Sequence, residues 1–412
     1  MNSAPRLPLP LSVLSLPVLV AALGYFVDIY DLVLIGMVGP ASLRAIGIAP
    51  DLVVQTLGYL LSLQMIGMLV GGFVWGMIAD RFGRVATLFG SILVYSSATF
   101  LNAFVDQLWQ YEVLRVIAGF GLAGELGVGI TLVVEMLPRE RRAFGATLVA
   151  SVGVAGAVLA YGMAKWVTWP TAFMCGGAMG FALLLLRYLA HESGLFQALD
   201  ATLPKGSLKL LFTSPQRFGR YLNSIAIGLP TWFVVGIFVF LATKTAQKLD
   251  VTGPVTSADA ILWCYIGLIA GDVAAGFITH ALASRRLTLL IFLTASAAAC
   301  TTMLCLRGLS PTMYYGMCLI LGLTVGFWAL FVTIAAEQFG TNLRGTVATT
   351  VPNIARGLFY PMNWLLFAYQ ERFGYLTVVA GLGVVCFALA LVGLWRMVET
   401  HGTDLDYREE LS

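Results

Sequence analysis

The chain has 412 residues, 59% of them apolar and only 11% charged, with a formal net charge of +3. Soluble domains average about 45–50% apolar and about 25% charged, and no soluble fold of this length hides so much apolar surface. The small net charge, with no basic cluster interleaved with aromatics, excludes a nucleic-acid partner and leaves the lipid bilayer as the natural solvent.

A helix needs about 20 apolar residues to cross a bilayer, and the chain offers twelve such stretches. The first, 14–38, opens like a secretory leader, with one Arg and small residues near Ala21 and Ala22. Its apolar run continues past Asp28 and Asp31, long enough to span. The others are expected at 53–79, 85–105, 109–136, 142–164 and 168–190. After a polar connection over 191–219 come 220–243, 257–283, 286–306, 311–337, 344–370 and 373–397. The expected fold is an all-α membrane protein of two pseudo-symmetric six-helix bundles, 1–190 and 220–400, joined by a cytoplasmic linker and ending in a tail, 401–412. An even number of spans puts both termini on one side. Sixteen of the 24 lysines and arginines fall on that side and six on the other, with Arg115 and Arg356 inside spans. The positive-inside rule then makes both termini cytoplasmic. The six cysteines all lie in apolar stretches and read as packing thiols.

The two halves repeat one another. Gly71, Gly76, Asp80, Arg81, Gly83 and Arg84 in GGFVWGMIADRFGR are echoed by Gly271, Gly276, His280, Arg285 and Arg286 in AGDVAAGFITHALASRR. Glu135 precedes Arg142 by seven residues, and Glu337 precedes Arg344 by seven. Repeated, apolar halves mark secondary transporters, whose substrate site lies between the repeats near mid-membrane. The repeated spacing also predicts that Asp80, Arg81, Arg84, Glu135, Arg142, Glu337 and Arg344 form a charge network latching the inner gate.

A charge at the bilayer centre is costly and usually faces a cavity. Asp28 and Asp31, three apart on the first helix, share a face; Arg115 and Glu125 share the fourth; Asp272 and Arg356 sit midway along the eighth and eleventh. A carboxylate facing an arginine is held ionised, and one left in low dielectric takes a proton. Asp28, Asp31, Arg115, Glu125 and Asp272 are therefore proton-coupling candidates. Arg356, with its planar fork, is the candidate anchor for an oxyanion, alongside Tyr30, Asn223, Trp232 and Asn353 as substrate contacts. Four central carboxylates against two arginines also suit a cationic or zwitterionic solute, or a divalent metal held by Asp and His280. No nucleotide loop, HExxH, GxSxG or Cys/His metal spacing is present, so neither an enzyme nor a resident cofactor or metal is expected.

The run Gly76-Met77-Ile78-Ala79-Asp80-Arg81-Phe82-Gly83-Arg84 resembles the signature of the major facilitator superfamily between its second and third helices. Arg115 through Gly119, Gly121, Glu135, Pro138 and Arg142 resembles the fourth-helix pattern of its sugar-porter and metabolite–proton symporter branches. Gly124-Glu125-Leu126-Gly127-Val128-Gly129 is similar to the carboxylate-transporting proton symporters. The Asp28 and Asp31 pair and the tail Glu399-Thr400-His401-Gly402-Thr403-Asp404 resemble the same group. The resemblance implies that Asp31 and Arg115 form the proton-carrying pair and that the protein works as a monomer. The chain departs from the pattern at His280, which stands where Asp80 does in the first copy, and it lacks the glutamine-rich motifs of hexose porters and the glycine–proline motif of drug antiporters. The expectation is a proton-coupled importer of a small organic anion in a bacterial inner membrane. The alternative is a carrier of a cationic or zwitterionic solute or a divalent metal, by antiport or uniport.

Overall fold

The computed structural model describes residues 15–137, 139–187, 206–402 and 409. Twelve helices carry the fold: α1 (Leu16–Ala45), α2 (Val53–Phe82), α3 (Arg84–Leu101), α4 (Leu108–Leu122 continuing as Glu125–Met136), α5 (Arg139–Val154 and Gly156–Trp166) and α6 (Trp169–Arg187). The second half holds α7 (Pro215–Phe233, continuing as a π-helical turn Val234–Phe240), α8 (Ser257–Leu282), α9 (Arg285–Cys305) and α10 (Pro311–Val325 and Trp328–Glu337). It ends with α11 (Thr341–Gly357 and Phe359–Phe373) and α12 (Tyr375–Arg396). Eleven of these are long and apolar enough to cross a membrane. The twelfth, α11, falls short of the apolar criterion because Thr341–Gly357 carries Asn342, Arg344, four threonines, Asn353 and Arg356. Every residue of that segment except Ile354 is nevertheless buried, so its polar groups face protein and not lipid.

The repeat seen in the sequence becomes a repeated packing. Gly67 and Gly71 of α2 lie against the backbone of Val116 and Phe120 in α4, and Gly267 and Gly271 of α8 lie against Leu319 and Leu323 in α10. A methyl group at any of these positions would meet a carbonyl oxygen, and small residues are what let membrane helices approach so closely. Both partner helices break at matching places, α4 at Ala123 and Gly124, α10 at Gly326 and Phe327. The halves meet mainly where α2 and α4 pack on α11 and where α5 packs on α8. All six cysteines are unpaired thiols.

Candidate functional site

Between the halves lies a small closed cavity. Its walls are Tyr25, Ile29 and Leu32 of α1, Val154 of α5, Thr231, Trp232 and Val235 of α7, Tyr265 and Leu268 of α8, Trp328 of α10 and Arg356 of α11. Its free volume of about 20 Å³ has room for little more than a water. Arg356 is the one cation on this wall. It is 1% exposed, and its guanidinium lies 5.7 Å from the Trp232 ring centre and 5.5 Å from that of Trp328. Its Nη1 donates to Asn353 Oδ1 at 3.2 Å. The Asn353 amide is itself fixed, because Nδ2 donates to Ala123 O at 2.9 Å in the other half and to Thr349 O at 2.8 Å. Arg356 Nε, Trp232 Nε1 and Thr231 Oγ1 have no hydrogen-bond partner among the described residues. Buried donors are nearly always paired, so this wall offers donors to an acceptor. Asp28 is fully buried one turn beyond Tyr25 on α1.

A second cluster lies within the N-terminal half. Arg115 Nη1 is 3.5 Å from Asp31 Oδ1, with both side chains buried. Arg115 Nε donates to Asn102 Oδ1 at 3.2 Å, and the guanidinium stands over Phe173 at 5.2 Å. Neither oxygen of Asp31 accepts a hydrogen bond among the described residues, so the pair is held by charge and by rings more than by good hydrogen-bond geometry.

The remaining central carboxylates sit at the helix breaks. Glu125 opens the second segment of α4 and accepts from Ser91 Oγ at 2.6 Å. Asp272 of α8 reaches across to the second segment of α10, where its Oδ1 accepts from Ala329 N at 3.0 Å. A carboxylate at a helix N-terminus satisfies an orphan donor and the dipole together. Glu125 and Asp272 are thus engaged by local donors, which the residue tally alone does not reveal.

Charged residues at the helix ends join the halves. Asp80 accepts from Gly345 N at 3.0 Å and from Thr346 N and Oγ1 at 2.8 and 2.7 Å, all on α11. Arg84 donates to Glu135 Oε1 at 3.0 Å and to Thr341 O at 3.3 Å. Arg344 reaches the same Glu135 oxygen at 3.3 Å from the opposite half. Glu337 pairs with Arg285, which repeats the Glu135–Arg84 contact in the second half. Among the described residues, Glu135 thus meets Arg344 of the opposite half as well as Arg84 of its own; the side chain of Arg142, expected in the same network, lies outside the described residues. Arg81 is exposed at the end of α2. On the opposite face the halves touch through Asn363 Nδ2 to Ser62 Oγ at 3.3 Å and through Tyr161 OH to Asp259 Oδ1 at 2.7 Å. The halves are thus bonded to one another on both faces.

Two expected substrate contacts lie elsewhere. Tyr30 bolts α1 to α6 by donating to Ala172 O at 2.7 Å, and Tyr25, five residues earlier, takes the place on the cavity wall. Asn223 is near the start of α7, its backbone packed on Gly393 of α12, away from the cavity. His280, weighed as a metal partner for the aspartates, is exposed at the far end of α8, and among the described residues no three His, Cys, Asp or Glu side chains gather as a metal requires. Thr231, Tyr265 and Asn102 were missed, being ordinary residues inside apolar runs. Glu409 was missed too: it meets Arg217 at 3.6 Å and Arg220 at 3.0 Å, and its backbone exchanges two hydrogen bonds with the Asn342 amide.

Comparison with known proteins places this arrangement. The sequence profile of the Major Facilitator Superfamily matches residues 21–358. A Haemophilus influenzae protein named for metabolite transport is 28% identical, with 94% of this chain and 96% of its own covered. A niacin transporter of Acinetobacter baylyi is 24% identical, covering 94% of each. A gentisate transporter of Corynebacterium glutamicum is 25% identical over 91% of this chain and 86% of its own. Among solved structures, the proton:xylose symporter XylE bound to 6-bromo-6-deoxy-D-glucose superposes with a TM-score of 0.70 at 16% identity, covering 95% of this chain and 97% of that one; it shares the fold.

Proposed function

The chain belongs to the Major Facilitator Superfamily, and on that premise we propose that it imports a small organic anion, a carboxylate metabolite, together with protons, by alternating access. It is a multi-pass membrane transporter and not an enzyme. The anion reading rests above all on Arg356: a buried guanidinium beside two tryptophans, whose Nε, like the neighbouring Trp232 Nε1 and Thr231 Oγ1, has no hydrogen-bond partner among the described residues. A fixed cation beside two indole rings suits an aromatic or heteroaromatic carboxylate, admitted when the halves part, with its ring against the indoles and its oxygens on the fork. The names of the niacin and gentisate transporters point the same way.

Import of an anion against an inside-negative potential needs accompanying positive charge, which protons supply. Asp31 with Arg115 is the proton site we favour, with Asp28 one turn along α1. Protonation of Glu125 or Asp272 would in addition change their hold on Ser91 or on the start of the second α10 segment. The moving units are residues 1–190 and 220–400, with Asp80, Arg84, Glu135, Arg344 and Glu337 as inner latches. The orientation with both termini cytoplasmic, in a bacterial inner membrane, follows the basic residues.

The test is external pH in a weakly buffered suspension of energy-depleted cells expressing the chain. Addition of nicotinate or gentisate should make the medium alkaline as proton and anion enter together. A response to amines and none to carboxylates would overturn the reading in favour of a cationic solute.

A further inference from the structure

The N-terminal half begins α3 with Gly83-Arg84-Val85, and the C-terminal half begins α9 with Ser284-Arg285-Arg286. Arg84 and Arg285 are counterparts: each turns inward to a glutamate, Glu135 or Glu337. Arg286 has no counterpart, since Val85 stands at its place in the first repeat. Its side chain is exposed, and its Nη2 donates to Trp395 O at 3.0 Å at the end of α12. That bond fixes the guanidinium at the mouth of a groove between α9 and α12.

The groove measures about 290 Å³. Below Arg286 its walls are Leu287, Leu290, Leu391, Leu394 and the ring of Trp395, which is 73% exposed. It lies on the outside of the bundle, at the first turn of α9 and the last turn of α12. Lipid headgroups meet tails at that depth, and tryptophan concentrates there. The carboxylate beside the groove, Glu399, is already saturated. It accepts from Ser284 Oγ and from the N–H groups of Arg285, Arg286, Thr400 and His401. Apart from the bond to Trp395 O, the Arg286 guanidinium therefore keeps its donors for an anion.

We infer that this groove binds an anionic glycerophospholipid of the adjoining leaflet, with the phosphate on Arg286 and one acyl chain along the leucines and the Trp395 ring. Leucine against an acyl chain gains little over other lipid, so selectivity comes from the headgroup. A guanidinium matches a phosphate through paired N–H donors, and basic pockets between membrane helices take anionic headgroups. This inference is independent of the transported solute.

The experiment is native mass spectrometry of the purified chain titrated with dioleoyl phosphatidylglycerol, with dioleoyl phosphatidylcholine as the neutral comparison. Wild type should hold phosphatidylglycerol about fivefold more tightly than Arg286→Gln, the factor one basic residue is worth at an anionic surface. The two proteins should hold phosphatidylcholine alike. Arg286 takes no part in the latch, so the variant should keep the wild-type unfolding temperature. In a second measurement, phosphatidylglycerol with brominated chains should quench wild-type fluorescence more than that of Trp395→Phe. Equal phosphatidylglycerol retention by wild type and Arg286→Gln overturns the inference. So does quenching that Trp395→Phe leaves unchanged, or a cross-linked dimer of Leu391→Cys showing that a second copy covers the groove.

Discussion

The two halves share one packing plan and treat buried charge in opposite ways. In the N-terminal half, Arg115 is answered by a carboxylate, Asp31. In the C-terminal half, Arg356 is answered by two indole rings and an amide, with no carboxylate in ion-pair reach among the described residues. A buried charge facing its opposite can be neutralised by one proton, which makes the first arrangement suited to proton traffic. A buried cation facing rings and an amide lacks a counter-ion, which makes the second suited to an anionic solute. On the proposed function, one scaffold used twice separates two tasks.

Four substitutions would break or sharpen that contrast, from the largest effect to the smallest. Asp31→Asn should abolish gradient-driven accumulation while leaving counterflow exchange of substrate intact; accumulation at the wild-type level would remove Asp31 from proton coupling. Arg356→Gln should weaken carboxylate binding by about 30- to 5,000-fold, the span expected when one partner of a desolvated charged contact is lost. Calorimetry on purified protein reads this directly, and unchanged affinity would take Arg356 out of the site. Tyr30→Phe should cost about 1 kcal/mol of stability through the lost bond to Ala172, seen as a lower unfolding temperature, and leave substrate affinity unaltered. A weakened affinity would return Tyr30 to the substrate wall.

The smallest effect is at Glu399, outside the membrane. Burial pushes its carboxyl up, but hydrogen bonds from Ser284 and from the N–H groups of Arg285, His401 and Arg286 outweigh this and hold it at about 2. A carboxyl held below its ordinary value of 4.5 adds stability at neutral pH that is lost as pH falls from there toward 2. The unfolding temperature of wild type should exceed that of Glu399→Gln at pH 7, and the gap should narrow below about pH 4.5. A gap independent of pH would mean that the charge on Glu399 contributes nothing.

The sequence made some of this legible and hid the rest for physical reasons. Glycine spacing exposed the repeat because close helix approach tolerates few other residues, and the contact of Asp31 with Arg115 could be read because isolated charges in apolar runs have few possible answers. Tyr30 and Tyr25 could not be told apart in the same way. Helix α1 is buried on nearly every side, so no polar stripe reveals which face borders the cavity. The pairing of Glu135 with Arg344 was equally out of reach, since the arginine seven residues on belongs to its own half and nothing in the spacing points to one 209 residues away. The role of Asp272 depended on α10 breaking at Gly326 and Phe327, and a glycine there gives no warning of whose carboxylate will meet the exposed N–H groups.

Helix α11 touches everything that has to move. Its first turns are gripped by Asp80 and its Arg344 by Glu135 at one mouth; Asn363 meets Ser62 at the other. Arg356 lies between them, one residue before Gly357 and the bend at Leu358. Under the alternating access proposed above, this bent helix would act as a lever with its fulcrum at the bend. As its ends swing to open one mouth and shut the other, the guanidinium there would travel least. A solute held on it would stay in one grip while the doors on either side exchange places.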